Sequence, residues 1–393
     1  MNSIAAPTRP DHPLDLRGLL AELADLTPVI AEHGDEADRA GEVPAAVLDA
    51  LATTRITSAM APRMLGGSEL RPSELLTVTR TLAHADPSTG WVIQAYIFLN
   101  GLAGAFLEPG AARALFETPR LAIAGQGTRP GRAVRRGDGY VLDGHFFFGS
   151  GVKHATHIHT AAITSDTAEP RFFLVPRDQV TFIDNWDVLG LRATGSIDYR
   201  LDSVFVPDEL SYATLSTTPV TGGALYRVGI GNFASINHGA WALGVGRRIL
   251  DELAALVRAK AGAPGSIAGN AAFHEGFAEA EVRLRSAHAL LDDVWGEIEH
   301  ELYDEGRDAV SIGAQSVNRA ALVNATRALE DVARFAYRSA GSAALRAGTL
   351  QRLYRDVHGG MQHVSSSAGV MQSAGRYLAG LAEGQRWVHF ELK

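Results

Sequence analysis

NWDVLGLRATGSIDYRLDSVFVPDEL, Asn185 to Leu210, is the stretch that decides the fold of this chain. It holds a tryptophan at 186, a Thr-Gly-Ser run at 194–196 and an apolar run, Ser203 to Pro207, closed by proline. Thr194 and Ser196 supply two hydroxyls, and Gly195 between them lets another group approach the backbone closely. Taken alone, the segment is a polar turn running into a strand, with one core tryptophan.

Working outward, short apolar runs continue upstream to Leu121: LAIAG, YVLDGHFFF, HIHTAAI, RFFLVP and VTFI. Runs of this length between Gly, Pro and Asp predict strands of an antiparallel sheet or barrel, ending near Pro207. Before them, Leu16, Leu19, Leu20, Leu23 and Leu26 recur at helical spacing. Pro44 suits the start of a helix over AAVLDALATTR. AMAPRMLGG is a break, and Pro72–Ala85 and Ser88–Phe106 read as two further helices. After the strands, Ile249, Leu250, Leu253 and Leu256 restore helical spacing, and long helices are predicted over His274–Asp304 and Ser311–Ala340. The expected class is α+β: a helical domain over 1–118, a β-domain over 119–215 and a helical bundle over 216–393.

Several functions are disfavoured by composition. The 393 residues carry 36 Lys+Arg against 44 Asp+Glu, a net charge of -8, which argues against a nucleic-acid partner. With no cysteine, disulfides, thiolate metal sites and a cysteine nucleophile are excluded. MNSIAAPTRPDHPLD lacks the apolar core of a signal peptide, so a cytoplasmic protein is expected. Gly90–Leu107 is long enough to suggest a membrane span, but Asp86 and Glu108 flank it where cations belong; a buried core helix is expected, and no membrane partner. His157 and His159 share a strand face near His154, yet no carboxylate lies nearby in sequence, and no metal site is assigned. Gly125-Gln126-Gly127 precedes Pro130 rather than a helix, so it is no dinucleotide fingerprint.

Three more segments fall in order around the opening stretch: APRMLGG (Ala61–Gly67), DGHFFFGSG (Asp143–Gly151) and RLYRDV (Arg352–Val357). Together the four resemble the acyl-CoA dehydrogenase superfamily across nearly the whole chain. The resemblance implies an N-terminal helical domain, a central antiparallel β-domain and a C-terminal four-helix bundle, usually assembled as a homotetramer or dimer. It also implies a flavin between the β-domain and the last bundle. The alternating donors and acceptors of a buried flavin edge need partners. Trp186, Arg192, Thr194, Gly195 and Ser196, with Ser150 and Gly151, are the residues the resemblance assigns to it.

The superfamily's dehydrogenases need a carboxylate base to remove a proton alpha to a thioester carbonyl. The position after R-D that carries it falls on Val364, and the alternative region, GNFASINHGAW (Gly231–Trp241), has no carboxylate. His363 stands beside the first position. This resembles the flavin monooxygenase branch, which includes the oxygenase components of two-component aromatic hydroxylases and the dibenzothiophene monooxygenases. The FGSG turn, Phe148–Gly151, matches that branch too, with Phe146 where its usual tryptophan stands. The resemblance then implies reduced FMN or FAD from a separate NAD(P)H-dependent reductase, O₂ as co-substrate and a C4a-hydroperoxyflavin. A small aromatic substrate would be hydroxylated, with nitrogen or sulfur oxygenation as variants.

Ser150 would bond the flavin edge. His363 would act as a base or as a peroxide hydrogen-bond partner. Gly359-Gly360 makes an unbroken helix costly, about 1 kcal/mol per glycine, which places His363 at a helix break. DPSTGWV (Asp86–Val92) resembles the branch's pocket helix. Trp91, with Tyr96 and Asn100 on about one face, are the expected substrate residues; the alternative is a buried helix with two tolerated polar groups. GTRPGRA (Gly127–Ala133) resembles a loop that closes over the pocket. Two other classes remain: a dehydrogenase with a displaced base, and a scaffold that binds no flavin.

Overall fold

Helix α1 (Leu16–Glu32) starts where the Asp15 side chain accepts the Gly18 N–H at 2.9 Å, and it buries Leu19, Leu23, Leu26 and Ile30 as one stripe. A computed structural model describes residues 14–393; residues 1–13, where the missing signal core was argued, lie outside the described residues. Helices α2 (Gly34–Ala40), α3 (Ala45–Ala52), α4 (Pro72–Ala85), α5 (Pro87–Phe106) and α6 (Pro109–Phe116) complete the first layer. Pro44 precedes α3, and Pro72 and Pro87 open α4 and α5, where a missing N–H costs nothing. Asp86 caps α5 by accepting the Thr89 N–H at 2.9 Å. Helix α5 is buried on almost every side, so it must lie between neighbours: α4, the sheet and the last bundle all touch it. Among the described residues, no helix is long and apolar enough to cross a membrane.

Seven strands follow: β1 (Ile123–Arg136), β2 (Gly139–Phe146), β3 (His157–Thr164), β4 (Pro170–Pro176), β5 (Thr181–Ile183), β6 (Asp198–Pro207) and β7 (Ser211–Ala213). Their order in the sheet is β5-β6-β2-β1-β3-β4-β7. Every pairing is antiparallel except β1 with β3, which run parallel, so the sheet is not purely antiparallel as expected. The cause is a crossover. After β2 the chain skips over β1 and re-enters on its other side, and this connection carries the Phe148–Gly151 turn. GTRP, expected as a loop, is the irregular stretch of β1 where its register with β3 breaks between Gln126 and Gly131.

The last layer is a bundle of α7 (Ala240–Ala259), α8 (Ala271–Glu299), α9 (Ile312–Ala340) and α11 (Thr349–Gly360), with short α10 (Ser342–Leu345) joining the last two. Helix α9 contacts each of the others and also α12 (Ala368–Leu378). A final hairpin, β8 (Trp387–Val388) and β9 (Glu391–Leu392), is pinned to α9 by a 2.9 Å bond from Trp387 Nε1 to Ser316 Oγ. Packing of α4 on α7 fastens the first layer to the last.

Candidate functional site

A chain of hydroxyls crosses the junction of the three layers, and its direction is fixed at one end. Thr194 Oγ1 donates to the Leu191 carbonyl at 2.7 Å, since a carbonyl only accepts. Ser196 must then donate to Thr194 at 2.7 Å, and Ser150 to Ser196 at 2.8 Å. Trp91 Nε1 closes the chain by donating to Ser150 Oγ at 3.3 Å. The Phe148–Gly151 turn is docked on this segment by backbone bonds from Gly149 N to Ile197 O at 3.1 Å and Gly151 N to Thr194 O at 3.0 Å. Phe148 has φ of 61°, costly for an aromatic residue, and is 64% exposed. Its ring meets Trp186 edge-on at 6.2 Å, and Trp186 Nε1 donates to the same Leu191 carbonyl at 3.2 Å.

Trp91 links this chain to two imidazoles. Its ring lies 4.6 Å from His238 and 6.0 Å from His363, and the two histidines face each other at 3.9 Å between centroids. His363 follows the end of α11 and caps the short turn Val364–Ser366, so the expected helix break exists. The glycines themselves remain helical. A Cβ on Gly360 would overlap the Trp241 ring, so glycine at 360 permits close packing rather than breaking the helix. His363 Nδ1 accepts the Ser365 N–H at 3.3 Å and lies 2.7 Å from the Ser365 hydroxyl. That leaves the neutral ring's proton on Nε2. Although the ring is only half-buried, the surrounding protein disfavours its cation and pushes it down to about 4. Burial, with His363 alongside, holds His238 well below the ordinary histidine range.

His238 was not singled out from sequence. It sits on a π-helical turn, Ser235–Gly239, at the head of α7. Such turns often mark functional sites, but nothing in GNFASINHGAW announces the wider turn. The available signal was a histidine in the very region where dehydrogenases carry their alternative carboxylate.

Other expected site residues serve the scaffold. Asn100, expected on the pocket wall, is consumed: its amide donates to the Thr57 and Leu121 carbonyls at 3.0 and 3.2 Å, and its oxygen accepts the Ile123 N–H at 3.1 Å. It ties α5 to the first strand and to the loop before α4, and both of its donors are spent on the backbone. Tyr96 donates to Gly151 O at 2.8 Å, so its hydroxyl buttresses the serine turn instead. Arg192 turns away, with Nε donating to Asp38 O at 3.0 Å. Gly195 has φ of 50° and lets Lys153 and the Gly41 carbonyl approach. Away from the site, His159 Nε2 pairs with the Tyr212 hydroxyl at 2.6 Å, and His157 Nδ1 with Thr156 Oγ1 at 3.2 Å. Among the described residues, no group of three or more His, Asp or Glu is placed to hold a metal. A small cavity among Phe106, Phe172, Tyr212, Tyr226 and Phe233 has room for about one water and lies at the far end of α5 from Trp91.

The R-D pair holds this site from behind. Arg355 grips Asp38 through both oxygens, at 3.1 and 2.6 Å, and donates to Leu189 O at 2.8 Å. Asp356 accepts the Leu191 N–H at 2.6 Å, which fixes Leu191 at φ of 54°. Burial, with Asp86 nearby, pushes the Asp356 carboxyl up to about 8. Such a group stays protonated in the folded chain where the unfolded chain has lost its proton. Its stabilisation is therefore full below the ordinary carboxylate range and is lost as pH rises through about 8, with a limiting slope of about 1.4 kcal/mol per pH unit. Asp356→Asn keeps the acceptor and cannot ionise. In thermal melts at pH 5 to 9 its melting temperature should gain on wild type as pH rises; parallel curves would contradict the buried-carboxyl account.

These residues suit a flat amphipathic heterocycle. Phe148 and Trp186 offer an uncovered aromatic corner, beside hydroxyls that can pair its polar edge. The comparisons agree. Residues 236–368 match the model described as acyl-CoA dehydrogenase, C-terminal domain. An indole-3-acetate monooxygenase of Pseudomonas putida is 27% identical over 88% of this chain and 89% of its own. The oxygenase component of an FADH₂-dependent resorcinol hydroxylase from Rhizobium sp. is 32% identical over 58% of this chain and 56% of its own. XiaF from Streptomyces sp., solved with FADH₂ and glycerol, superposes with a TM-score of 0.85 at 21% identity, covering 95% of this chain and 98% of its own. The chain resembles the acyl-CoA dehydrogenase superfamily in its C-terminal domain and, over most of its length, flavin-dependent monooxygenases.

Proposed function

We propose that this chain is the oxygenase component of a two-component flavin-dependent monooxygenase that hydroxylates a small aromatic substrate. One observation carries the reading. Trp91 joins a serine hydroxyl chain to a neutral imidazole pair, and among the described residues no carboxylate bears on either imidazole. A thioester dehydrogenase would need that carboxylate.

Bound reduced FMN or FAD supplies the electrons that activate O₂. With those two electrons, one atom of O₂ would enter a substrate C–H bond and the other would leave as water. Phe148 and Trp186 would flank a bound ring system, and Ser150, backed by Ser196 and Thr194, would hold its polar edge beside Gly151 and Gly195. His363 offers Nε2–H as a donor toward reacting oxygen. Its Nδ1 lone pair is already engaged, so it works as a hydrogen-bond partner rather than as a base. Trp91 closes the inner wall and keeps water out.

The reductase is a separate NAD(P)H-dependent protein. The assembly is a homotetramer or dimer in the cytoplasm, built from domains over 1–118, 119–215 and 216–393. Resorcinol and indole-3-acetate, named for two relatives, support a small aromatic substrate.

The test is reconstitution with a flavin reductase, NADH, FMN or FAD and a panel of phenols under ¹⁸O₂. One labelled oxygen atom is expected in the product. Reduction of bound flavin by an acyl thioester under argon, with no labelled product, would replace this reading with the dehydrogenase. In the same assay Ser150→Ala should divert most reduced flavin to hydrogen peroxide and cut product per flavin by roughly tenfold, the worth of one good hydrogen bond. Undiminished coupling would remove Ser150 from the site.

A further inference from the structure

The two imidazoles are not equivalent. His363 has its Nδ1 lone pair engaged by Ser365, so its neutral ring can only donate outward. His238 Nδ1 is buried and has no partner among the described residues. No neighbour there fixes its tautomer, so the ring is free to hold its proton on Nε2 and present a lone pair at Nδ1.

Its placement is built rather than loose. On the π-helical turn, Ser235 Oγ donates to Asn318 Oδ1 at 2.5 Å and accepts Trp295 Nε1–H at 3.1 Å. Asn318 Nδ2 donates to the Asn232 carbonyl at 3.0 Å. The start of this turn is thus tied to α8 and α9, and the extra residue in the turn delivers the His238 ring to within 3.9 Å of His363 and 4.6 Å of Trp91. A buried polar atom with no partner is uncommon and asks for one. Among the described residues no Lys, Arg, Asp or Glu bears on either imidazole, so the partner that fits is neutral and carries an acidic hydrogen.

We propose that His238 is a substrate-binding residue that accepts the hydrogen of the substrate's phenolic hydroxyl, so that this ring, and not His363, sets the preference for a free hydroxyl over its ether. The proposal rests on the oxygenase reading above and divides the work: His363 donates toward oxygen, and His238 receives the substrate. A methyl ether of the same ring fills the same space but has no hydrogen to give, leaving the lone pair unmet.

The experiment is calorimetric titration, under argon, of the enzyme loaded with reduced FMN or FAD. The probes are resorcinol and 2-naphthol, each against its methyl ether. Wild type should bind the phenols on the order of tenfold more tightly than the ethers, as one neutral hydrogen bond gives. His238→Phe should bring that ratio close to one, and His238→Leu carries the same expectation should the phenylalanine variant not fold. His238→Gln, which keeps an acceptor, should restore part of the preference, and His363→Ala should leave it intact. Wild type without the preference, or a His238→Phe or His238→Leu variant that retains it, overturns the proposal. Product formation is measured separately on the same preparations. Absent oxygenation with the preference intact strikes the oxygenase reading and leaves the His238 assignment standing.

Discussion

His363→Ala is expected to lower product formation by about 100-fold or more, the usual worth of a positioned hydrogen-bond donor to a reacting oxygen, while flavin affinity changes by no more than about threefold, a loss well short of one hydrogen bond. The split follows from the contacts. His363 touches Trp91, His238 and Phe390, and bonds Ser365. The hydroxyl chain and the Phe148–Trp186 corner make no bond to it. Losing the ring removes the Nε2–H donor and leaves the flavin seat standing. Product is measured by chromatography and flavin binding by fluorescence. The working form is neutral, and burial pushes this imidazole down to about 4. This group should therefore impose no loss of rate between pH 6 and 9, and should do so only as pH falls toward 4. Equal turnover in the alanine variant would remove His363 from the chemistry.

The second large effect is on stability. Arg352 Nη1 pairs with Asp86, which is 1% exposed, and Nε bonds Asp35 Oδ1 at 3.1 Å. One guanidinium therefore joins α11, the cap of α5 and helix α2. Arg352→Met fills much of the space but leaves the Asp86 charge buried without its partner. Breaking such a pair costs roughly 3–5 kcal/mol. Chemical denaturation should show a loss of this size. The double variant with Asp86→Asn should recover part of it, because the stranded charge is then gone. A single variant as stable as wild type would mean that the pair does not hold these helices together.

Particular residues show how far the sequence reached. Strands were legible in HIHTAAI and RFFLVP because short apolar runs between turn residues carry their own signal. The hydroxyl chain was legible as T-G-S and FGSG, since hydroxyls and glycines beside a strand are local chemistry. His363 was legible through its neighbours Arg355 and Asp356, although their side chains turned out to hold Asp38 and Leu191. Tyr96 and Asn100 looked like pocket residues by helical spacing. Their partners are the carbonyls of Gly151, Thr57 and Leu121, which no periodicity locates. The parallel pairing of β1 with β3 was equally hidden, because register between distant strands is a property of the assembled sheet.

The sequence alone determined which chemistry was possible: a helical–β–helical chain, a polar seat of hydroxyls, and an imidazole where a dehydrogenase keeps a carboxylate. Only tertiary structure decided what each imidazole has free to offer. His238 and His363 are 125 positions apart, and they meet because α7 and the end of α11 pack in one bundle. A hydrogen bond from a backbone two residues away pins one ring's proton, while burial strips the other of partners. Residue type sets what a group can donate or accept; packing sets what is left free after its neighbours have taken their share.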